Sequence, residues 1–341
     1  MCRSFLTPYT TTGNISKALD YNENESRYWG RFNSLVCSLD LPYIALLAKE
    51  KSGDIIDNFF KELDTVAEKA HRVLQTRLER LKHVKAKTAP ILWMDGALAR
   101  LEAEETIEPL LHDNYSTISL GYVGLYECVK VLTGENHLLN KEANKLAHKI
   151  MKHLNEYCAK WKKEEDYGYS LYLTPAESLV YRFATCLKKR FGEDIFIKID
   201  GHDRKYITNS VHYPVWEDID AFTKLSLESP LQKLSPGGNI IYCETPNLQN
   251  NIEAVLEIMK HIYENCMYAE INTKSDYCSE CGFDGEIECV EIDGELDWKC
   301  PNCGCTDHEK LYISRRTCLY IGSQFWNKGR TQEIKERVLH I

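Results

Sequence analysis

Two pairs of cysteines near the end of the 341-residue chain constrain its fold more than any other feature. They are Cys278 and Cys281, then Cys300 and Cys303, with eighteen residues between the pairs. Each Cys-x-x-Cys pair can form a tight turn that directs two thiolates to one point, and two such turns supply the tetrahedral shell of four sulfurs that zinc favours. Because such a shell has no open position, the spacing predicts a structural zinc site rather than a catalytic one.

Composition restricts the class of protein. The net charge is −9 and the pI is about 5.7, with no basic stripe to match a nucleic-acid backbone. No apolar run reaches the length of a membrane span, and the first residues do not form a secretion signal. Fourteen cysteines in such a chain indicate free thiols in a reducing compartment. We therefore expect a cytoplasmic protein that binds neither nucleic acid nor membrane.

Hydrophobic periodicity alternates between strands and helices over most of the chain. Strands are predicted at 35–41, 116–121, 206–210 and 238–244, and helices at 54–84, 140–162, 250–265 and after Ser178. Asp54 is positioned to cap the longest helix. Strands that alternate with helices indicate an α/β fold with parallel strands. The helical period disappears between Tyr268 and Leu311, where the cysteine pairs lie.

Blocks of sequence spread along the chain resemble the anaerobic (class III) ribonucleoside-triphosphate reductases, which are glycyl-radical enzymes. The blocks are Met1–Leu6, Gly30–Asn33, Gly121–Glu127, Thr174–Ser178, Tyr206–Ser210, Gly237–Glu244, Arg315–Gly322, Asn327–Arg330 and Glu333–His340. They follow the order of the family across nearly the whole chain. The four-cysteine module lies, as in that family, just before the radical loop. This shared order is more specific than any single motif.

The resemblance implies a domain organisation. Residues 1–265 would form the C-terminal half of the catalytic ten-stranded α/β barrel, with a finger loop at 1–10. Residues 266–311 would form the zinc module, and 312–341 the radical-type loop and tail. The complete enzyme would reduce ribonucleoside triphosphates, with formate as the usual reductant. It would be activated by a separate iron–sulfur enzyme of the radical-SAM class, which uses S-adenosylmethionine, and would need an N-terminal half or a homodimer partner.

The resemblance also implies roles for residues at the active site. Cys2 would become the thiyl radical that attacks the ribose, and Ser4 would face the substrate. Asn33 would form a hydrogen bond with a ribose hydroxyl, although an asparagine in a glycine-flanked loop is also a common turn former.

The segment Thr-Pro-Ala-Glu-Ser at 174–178 predicts a helix start on physical grounds alone. Thr174 can cap the helix, Pro175 suits its first turn, and Glu177 completes a capping box. A helix that begins in this way presents N–H groups to a phosphate, but an ordinary helix start explains the same residues. The resemblance makes Thr174, Ala176 and Ser178 candidate triphosphate ligands, and Glu177 a candidate acid or base near the ribose.

Two departures from the family limit this interpretation. Leu319 occupies the position of the family's radical glycine, and its branched side chain hinders the Cα atom from becoming planar. The chain also starts at the cysteine of the finger loop, so we expect the family's N-terminal half to be missing. The alternative hypothesis is a non-catalytic zinc-module protein, or a relic fragment, that acts only by binding a partner.

Overall fold

The structure, a computed structural model, describes most of the chain from Phe32 onward. The described residues are 32–112, 114–174, 176, 178–273, 275–293, 295–316, 321–322 and 327–340. They belong to two compact units. The first unit contains the described residues up to Thr174 together with Lys233–Asn239. The second contains the described residues between Thr174 and Lys233 together with those from Ile240 onward.

A three-stranded parallel sheet forms the centre of the first unit. Its strands are β1 (Phe32–Asp40), β2 (Ser116–Val123) and β3 (Gly168–Leu173), in the order β1-β2-β3. Every residue of β2 is buried, as is typical of a parallel strand covered on both faces. The strands predicted at 35–41 and 116–121 are confirmed in β1 and β2, except that Leu41 already belongs to the following helix.

Five α-helices accompany this sheet in the described part of the first unit. They are α1 (Leu41–Lys49), α2 (Ile55–Lys82), α3 (Pro90–Trp93), α4 (Leu125–Thr133) and α5 (Lys141–Glu165), with short 3₁₀ turns at Ala86–Thr88 and Glu108–Leu111. The long helices α2 and α5 confirm those predicted at 54–84 and 140–162. Asp54 caps α2 as predicted, because its carboxylate accepts a hydrogen bond from the Asp57 N–H at 2.9 Å.

The second unit begins with helices and a parallel pair of strands. Its elements are α6 (Leu179–Phe191), α7 (Ile195–Asp200), α8 (Ala221–Gln232), β4 (Ile241–Thr245), α9 (Ile252–Asn265) and β5 (Ala269–Thr273). Strands β4 and β5 are parallel and α9 connects them, as a parallel connection requires. The helix predicted at 250–265 is thereby confirmed, and the strand predicted at 238–244 is confirmed from Ile241 onward.

The strand predicted at 206–210 is wrong, because this stretch is a buried loop. The Ile207 N–H donates to the carbonyl of Val180 rather than to a strand, and Ser210 has a φ of 41°. Tyr206 and Ile207 are each only 1% exposed. Their apolar pattern therefore reflects burial of the loop and not the alternation of a strand.

A small module of short antiparallel strands carries the cysteine pairs. It contains β6 (Asp276–Cys278), β7 (Phe283–Gly285), β8 (Glu288–Ile292), β9 (Glu295–Lys299) and β10 (Leu311–Tyr312). One sheet has the order β10-β6-β7, and β8 pairs with β9 as a hairpin. Ile287, Trp298 and Leu311 form its buried core together with two of the cysteines. As expected, the described residues between 268 and 311 form no helix.

The tail of the chain packs into the second unit. It contains β11 (Arg315–Arg316), β12 (Ile321–Gly322) and α10 (Lys328–Glu336). Beyond α10, the Val338 N–H donates to the carbonyl of Val215 at 2.9 Å, and the His340 N–H donates to that of Glu244 at 2.8 Å. These backbone bonds anchor the chain after the helix.

The parallel strands β1–β3 and β4–β5, together with their helices, confirm the α/β class. None of the helices formed by the described residues combines the length and the apolar character needed to cross a bilayer.

Candidate functional site

The four predicted metal ligands lie together in the small module. The sulfur atoms of Cys278, Cys281, Cys300 and Cys303 all lie within 4.8 Å of one another. The Cys278–Cys303 and Cys281–Cys300 sulfur pairs are each 3.7 Å apart. A tetrahedral zinc ion with sulfurs at about 2.3 Å would space them by about 3.8 Å. The cluster therefore has the dimensions of a tetrahedral metal site.

Two equivalent turns build this cluster. The Gly282 N–H donates to the carbonyl of Cys278 at 2.8 Å, and the Gly304 N–H donates to that of Cys300 at 2.9 Å. Both glycines have a positive φ, 73° and 74°, which L side chains rarely adopt. The repeated Cys-x-x-Cys-Gly sequence thus produces the same turn twice, and each turn presents its two sulfurs to the centre.

The environments of the four sulfurs differ. Cys278 and Cys300 are fully buried against the core of the module, whereas Cys281 and Cys303 are exposed. Burial raises the pKa of the Cys278 thiol. A hydrogen bond with Asn302 lowers the pKa of Cys281 to about 6. Because a metal ligand must be the thiolate, this lowered pKa favours the ligand form of Cys281.

A buried carboxylate that sequence analysis missed connects the module to the chain beyond it. Asp276 accepts hydrogen bonds from the Ile287 N–H at 2.8 Å and from the Ser314 N–H at 2.9 Å. Ser314 immediately precedes β11 and the segment that resembles a radical loop. The cysteine module and the start of that segment are therefore held by one side chain, and no local sequence signal marks it.

Asn33 and Thr174, two of the residues predicted from the family resemblance, lie on the first unit's sheet. The Asn33 amide donates to the hydroxyl of Ser119 at 2.7 Å. Its Oδ1 atom is buried and accepts no hydrogen bond from the described residues. Thr174 is buried at the carboxyl end of β3, and its hydroxyl lies 2.7 Å from that of Ser38 on β1.

The capping role predicted for Thr174 is wrong. Helix α6 begins at Leu179, with Ser178 at the capping position and no side-chain hydrogen bond to the helix. The Thr174 hydroxyl contacts Ser38 instead. Ser178 is exposed, and Ala176 is buried with its carbonyl accepting from the Val180 N–H at 3.5 Å. Cys2, Ser4, Glu177 and Leu319 lie outside the described residues.

A group of charged residues buried in the second unit was not predicted. Glu228 accepts hydrogen bonds from Tyr213 N–H at 2.7 Å and from Lys224 at 2.8 Å, and lies 2.9 Å from a His212 ring nitrogen. Burial by itself would raise the pKa of Glu228, but the charges of Lys224 and His212 outweigh it and lower the pKa to about 2. The carboxylate therefore stays ionised in the interior.

A second buried group holds the tail. Arg337 donates to Glu333 at 3.1 and 3.3 Å and to Glu244 on β4 at 3.1 Å. Asn272 on β5 also donates to Glu244, at 2.9 Å. A cavity of about 40 Å³ lies beside both groups. Charged side chains of both signs line it, namely the cations Lys224, Arg330 and Arg337 and the carboxylates Glu244 and Glu333.

Comparison with known proteins shows the family. The family model for anaerobic ribonucleoside-triphosphate reductase matches residues 1–340. The chain is 37% identical to the enzyme of that name from Haemophilus influenzae over 348 residues, covering 100% of this chain and 45% of the relative. It is 37% identical to the Escherichia coli enzyme, again with 45% of that protein covered, and 33% identical to that of phage T4, with 52% covered. The chain thus spans about half the length of these relatives and corresponds to their C-terminal part.

Solved structures support the same fold. An anaerobic ribonucleotide reductase superimposes with a TM-score of 0.61 at 19% identity, covering 91% of this chain and 45% of that one. The Thermotoga maritima anaerobic ribonucleotide reductase, solved with glycerol in the active site, gives 0.58 at 17% identity, covering 94% and 46%. From the family match over residues 1–340, together with the sequence relatives, the chain belongs to the anaerobic ribonucleoside-triphosphate reductase family.

Proposed function

We propose that this chain is the C-terminal part of an enzyme of the kind that reduces ribonucleoside triphosphates to deoxyribonucleotides, and that Leu319 keeps it from carrying out this reaction as it stands. The family match over residues 1–340 carries the proposal, because it includes the Cys2 segment, the cysteine module and the tail together. A non-catalytic zinc-module protein is not favoured, since such a protein would resemble the family only around its cysteines.

The proposed architecture is half of a ten-stranded α/β barrel. Strands β1–β3 are parallel to one another in the first unit, and β4 and β5 are parallel to each other in the second, as such a barrel requires within each sheet. We assign residues 1–265 to the half barrel, 266–311 to the metal module, and 312–341 to the radical-type loop and tail. The similarity of fold to the solved anaerobic reductases supports this assignment.

In the proposed reaction, the Cys2 thiyl radical removes the 3′ hydrogen of the ribose, so that an S–H bond forms as the C–H bond breaks. Ser4 and Asn33 hold the ribose. The buried Asn33 Oδ1 atom supports this role, because it can accept a hydrogen bond from a ribose hydroxyl. Glu177 moves a proton as the 2′ hydroxyl leaves as water, and formate supplies the electrons.

We assign the triphosphate to Thr174, Ala176 and Ser178. Ser178 occupies the capping position of α6 and is exposed, and backbone N–H groups at the start of a helix favour phosphate. In this proposal the negatively charged triphosphate of the substrate lies at residues 174–178.

The metal that fits the cysteine cluster best is zinc. Four thiolates at tetrahedral spacing form a closed shell, which holds structure and leaves no position for substrate. Cys278, Cys281, Cys300 and Cys303 would hold the ion. Through Asp276 it would stabilise the start of the radical-type loop.

Position 319 decides whether the loop can store a radical. A radical on a Cα atom is stabilised when that carbon becomes planar, and leucine hinders this geometry where glycine permits it. Gly322 lies three residues further on, which displaces it by several ångströms. We propose that the chain as it stands stores no glycyl radical and that glycine at position 319 would restore this capacity.

The proposed partners are a radical-SAM activating enzyme and an N-terminal part like that of the relatives, or a second copy of the chain. We place these components in the cytoplasm. None of the twelve cysteines in the described part of the chain forms a disulfide, which agrees with a reducing compartment.

The test combines the chain with the N-terminal part of the E. coli relative, an activating enzyme and S-adenosylmethionine under anaerobic conditions. Electron paramagnetic resonance should show a glycyl doublet for Leu319→Gly and none for the unmodified chain. Leu319→Ala, which retains a Cβ atom, is the matched control and should also give none. Deoxyribonucleotide should form with Leu319→Gly and disappear when Cys2→Ala is added.

Two results would contradict the proposal. A doublet from the unmodified chain would show that leucine does not prevent radical storage. A strong doublet from Leu319→Gly without any deoxyribonucleotide would show that the reaction is not ribonucleotide reduction.

A further inference from the structure

Ser38 near the end of β1 and Thr174 just after β3 contact each other across Gly121 on β2. Ser38 on β1 lies beside Gly121 on β2, and Gly121 lies beside Tyr172 on β3. Thr174 is two residues beyond Tyr172, and its hydroxyl is 2.7 Å from that of Ser38. The hydrogen bond therefore passes over Gly121 and joins two strands that do not pair directly.

Space, and not backbone conformation, explains the glycine at position 121. Gly121 does not have one of the positive φ angles found at other glycines. A Cβ atom there would lie 2.2 Å from the Thr174 hydroxyl oxygen and 2.5 Å from that of Ser38. Glycine in a strand interior commonly marks such a close approach. Any side chain at 121 would separate the two hydroxyls.

The contact lies where ligands bind in α/β proteins. Ser38 is near the carboxyl end of β1, and Thr174 directly follows β3. Ligands of open parallel sheets bind beyond the carboxyl ends of the strands. Thr174 is only 7% exposed, so a fixed hydroxyl at this point has little freedom to reorient.

We propose that Ser38 is a positioning residue for the triphosphate of the substrate. Its hydroxyl fixes the Thr174 hydroxyl at the carboxyl end of β3, and Gly121 leaves the space that this requires. The inference rests on the proposed function, which assigns Thr174 to the phosphates, but it concerns Ser38 and Gly121, to which the family resemblance gives no role.

Equilibrium binding to the full chain tests the proposal. Each of the four ribonucleoside triphosphates, and each corresponding nucleoside without phosphate, is titrated into the unmodified chain and its variants. Ser38→Ala should weaken triphosphate binding by about tenfold, the value of roughly one hydrogen bond, and leave nucleoside binding unchanged. Ser38→Thr keeps a hydroxyl and should restore binding. Gly121→Ala should weaken binding as Ser38→Ala does.

Ser34→Ala is the matched control, because Ser34 lies on the same strand and its hydroxyl accepts a hydrogen bond from Ser116 at 2.7 Å. It should leave triphosphate binding unchanged. The proposal is overturned if Ser38→Ala binds triphosphate like Ser34→Ala, or if it weakens nucleoside and triphosphate binding equally. An unmodified chain that binds no triphosphate would overturn the proposed function as well, and this result is distinct from the other two.

Discussion

Single side chains decide how firmly the tail is held in the second unit. Arg337 is 9% exposed and forms ion pairs with Glu244 and Glu333, which are equally well buried. Without the Arg337 guanidinium, the buried carboxylates of Glu244 and Glu333 each lose a positively charged partner. Arg337→Gln should therefore lower the free energy of unfolding by about 3 kcal/mol, as is usual when one partner of a buried ion pair is removed.

Urea denaturation followed by circular dichroism measures this change. Lys335→Gln is the matched control, because Lys335 is exposed on α10, two residues before Arg337, and should change stability by less than about 0.5 kcal/mol. Equal stability of the two variants would show that the buried ion pairs contribute nothing.

A histidine near the end of the chain should make stability depend on pH. Burial, reinforced by the charges of Lys224 and Arg337, lowers the pKa of His340 from 6.5 to about 3. Between about pH 6.5 and 3, His340 is therefore protonated in the unfolded chain and neutral in the folded chain. The free energy of unfolding should fall as the pH decreases from about 6.5 towards 3, by up to about 1.4 kcal/mol per pH unit from this group.

His340→Asn should reduce that slope between pH 6 and 5, because the asparagine side chain can still accept the hydrogen bond from the Glu244 N–H but does not titrate. Thermal unfolding at a series of pH values gives the slope. His83→Asn, at an exposed position, is the control. If the two variants show the same slope, His340 is not responsible for the pH dependence.

At the scale of elements, the short strands of the cysteine module have only a small core of their own. Ile287, Trp298 and Leu311 are its largest buried apolar residues besides the cysteines. Modules of this size are commonly stabilised by a metal. We therefore expect one zinc ion per chain and partial unfolding of the module when the ion is removed.

Mass spectrometry under non-denaturing conditions and elemental analysis test this expectation. Cys281→Ser should lose most of the zinc, whereas Cys289→Ser should retain it, because Cys289 lies on β8 outside the cluster. Chain purified without chelator and found to contain no metal would contradict the assignment.

At the scale of the whole molecule, the proposed half barrel would leave a strand edge without a neighbouring strand. In the described residues β1 pairs with β2 on one side only, and an open strand edge offers its N–H and C=O groups to another chain. We expect the chain expressed alone to self-associate. Co-expression with the N-terminal part of the E. coli relative should shift it to a defined complex.

Size-exclusion chromatography with light scattering distinguishes these states. An unrelated α/β domain of similar size, co-expressed in the same way, is the control and should leave self-association unchanged. A compact and stable monomer formed by the chain alone would argue against the half barrel.

The sequence determined the features whose causes are local. The cysteine cluster follows from two Cys-x-x-Cys-Gly turns, each formed within five residues, and the long helices α2 and α5 follow from apolar residues at helical spacing. Asp54 could be identified as a cap because its partner, Asp57, is three residues away. In each case neighbouring residues supply the geometry, so the amino-acid pattern is sufficient.

Only the tertiary structure decided the contacts between distant residues. Ser38 and Thr174 are 136 residues apart, and Glu244 and Arg337 are 93 apart. The Thr174 hydroxyl, predicted from the sequence to cap a helix, instead forms a hydrogen bond with Ser38. The apolar residues of the buried loop at 206–210 resemble the pattern of a strand. Such contacts depend on how strands and helices pack. A side chain can form a hydrogen bond only with groups that the fold brings within hydrogen-bonding distance, and these groups need not be its neighbours in sequence.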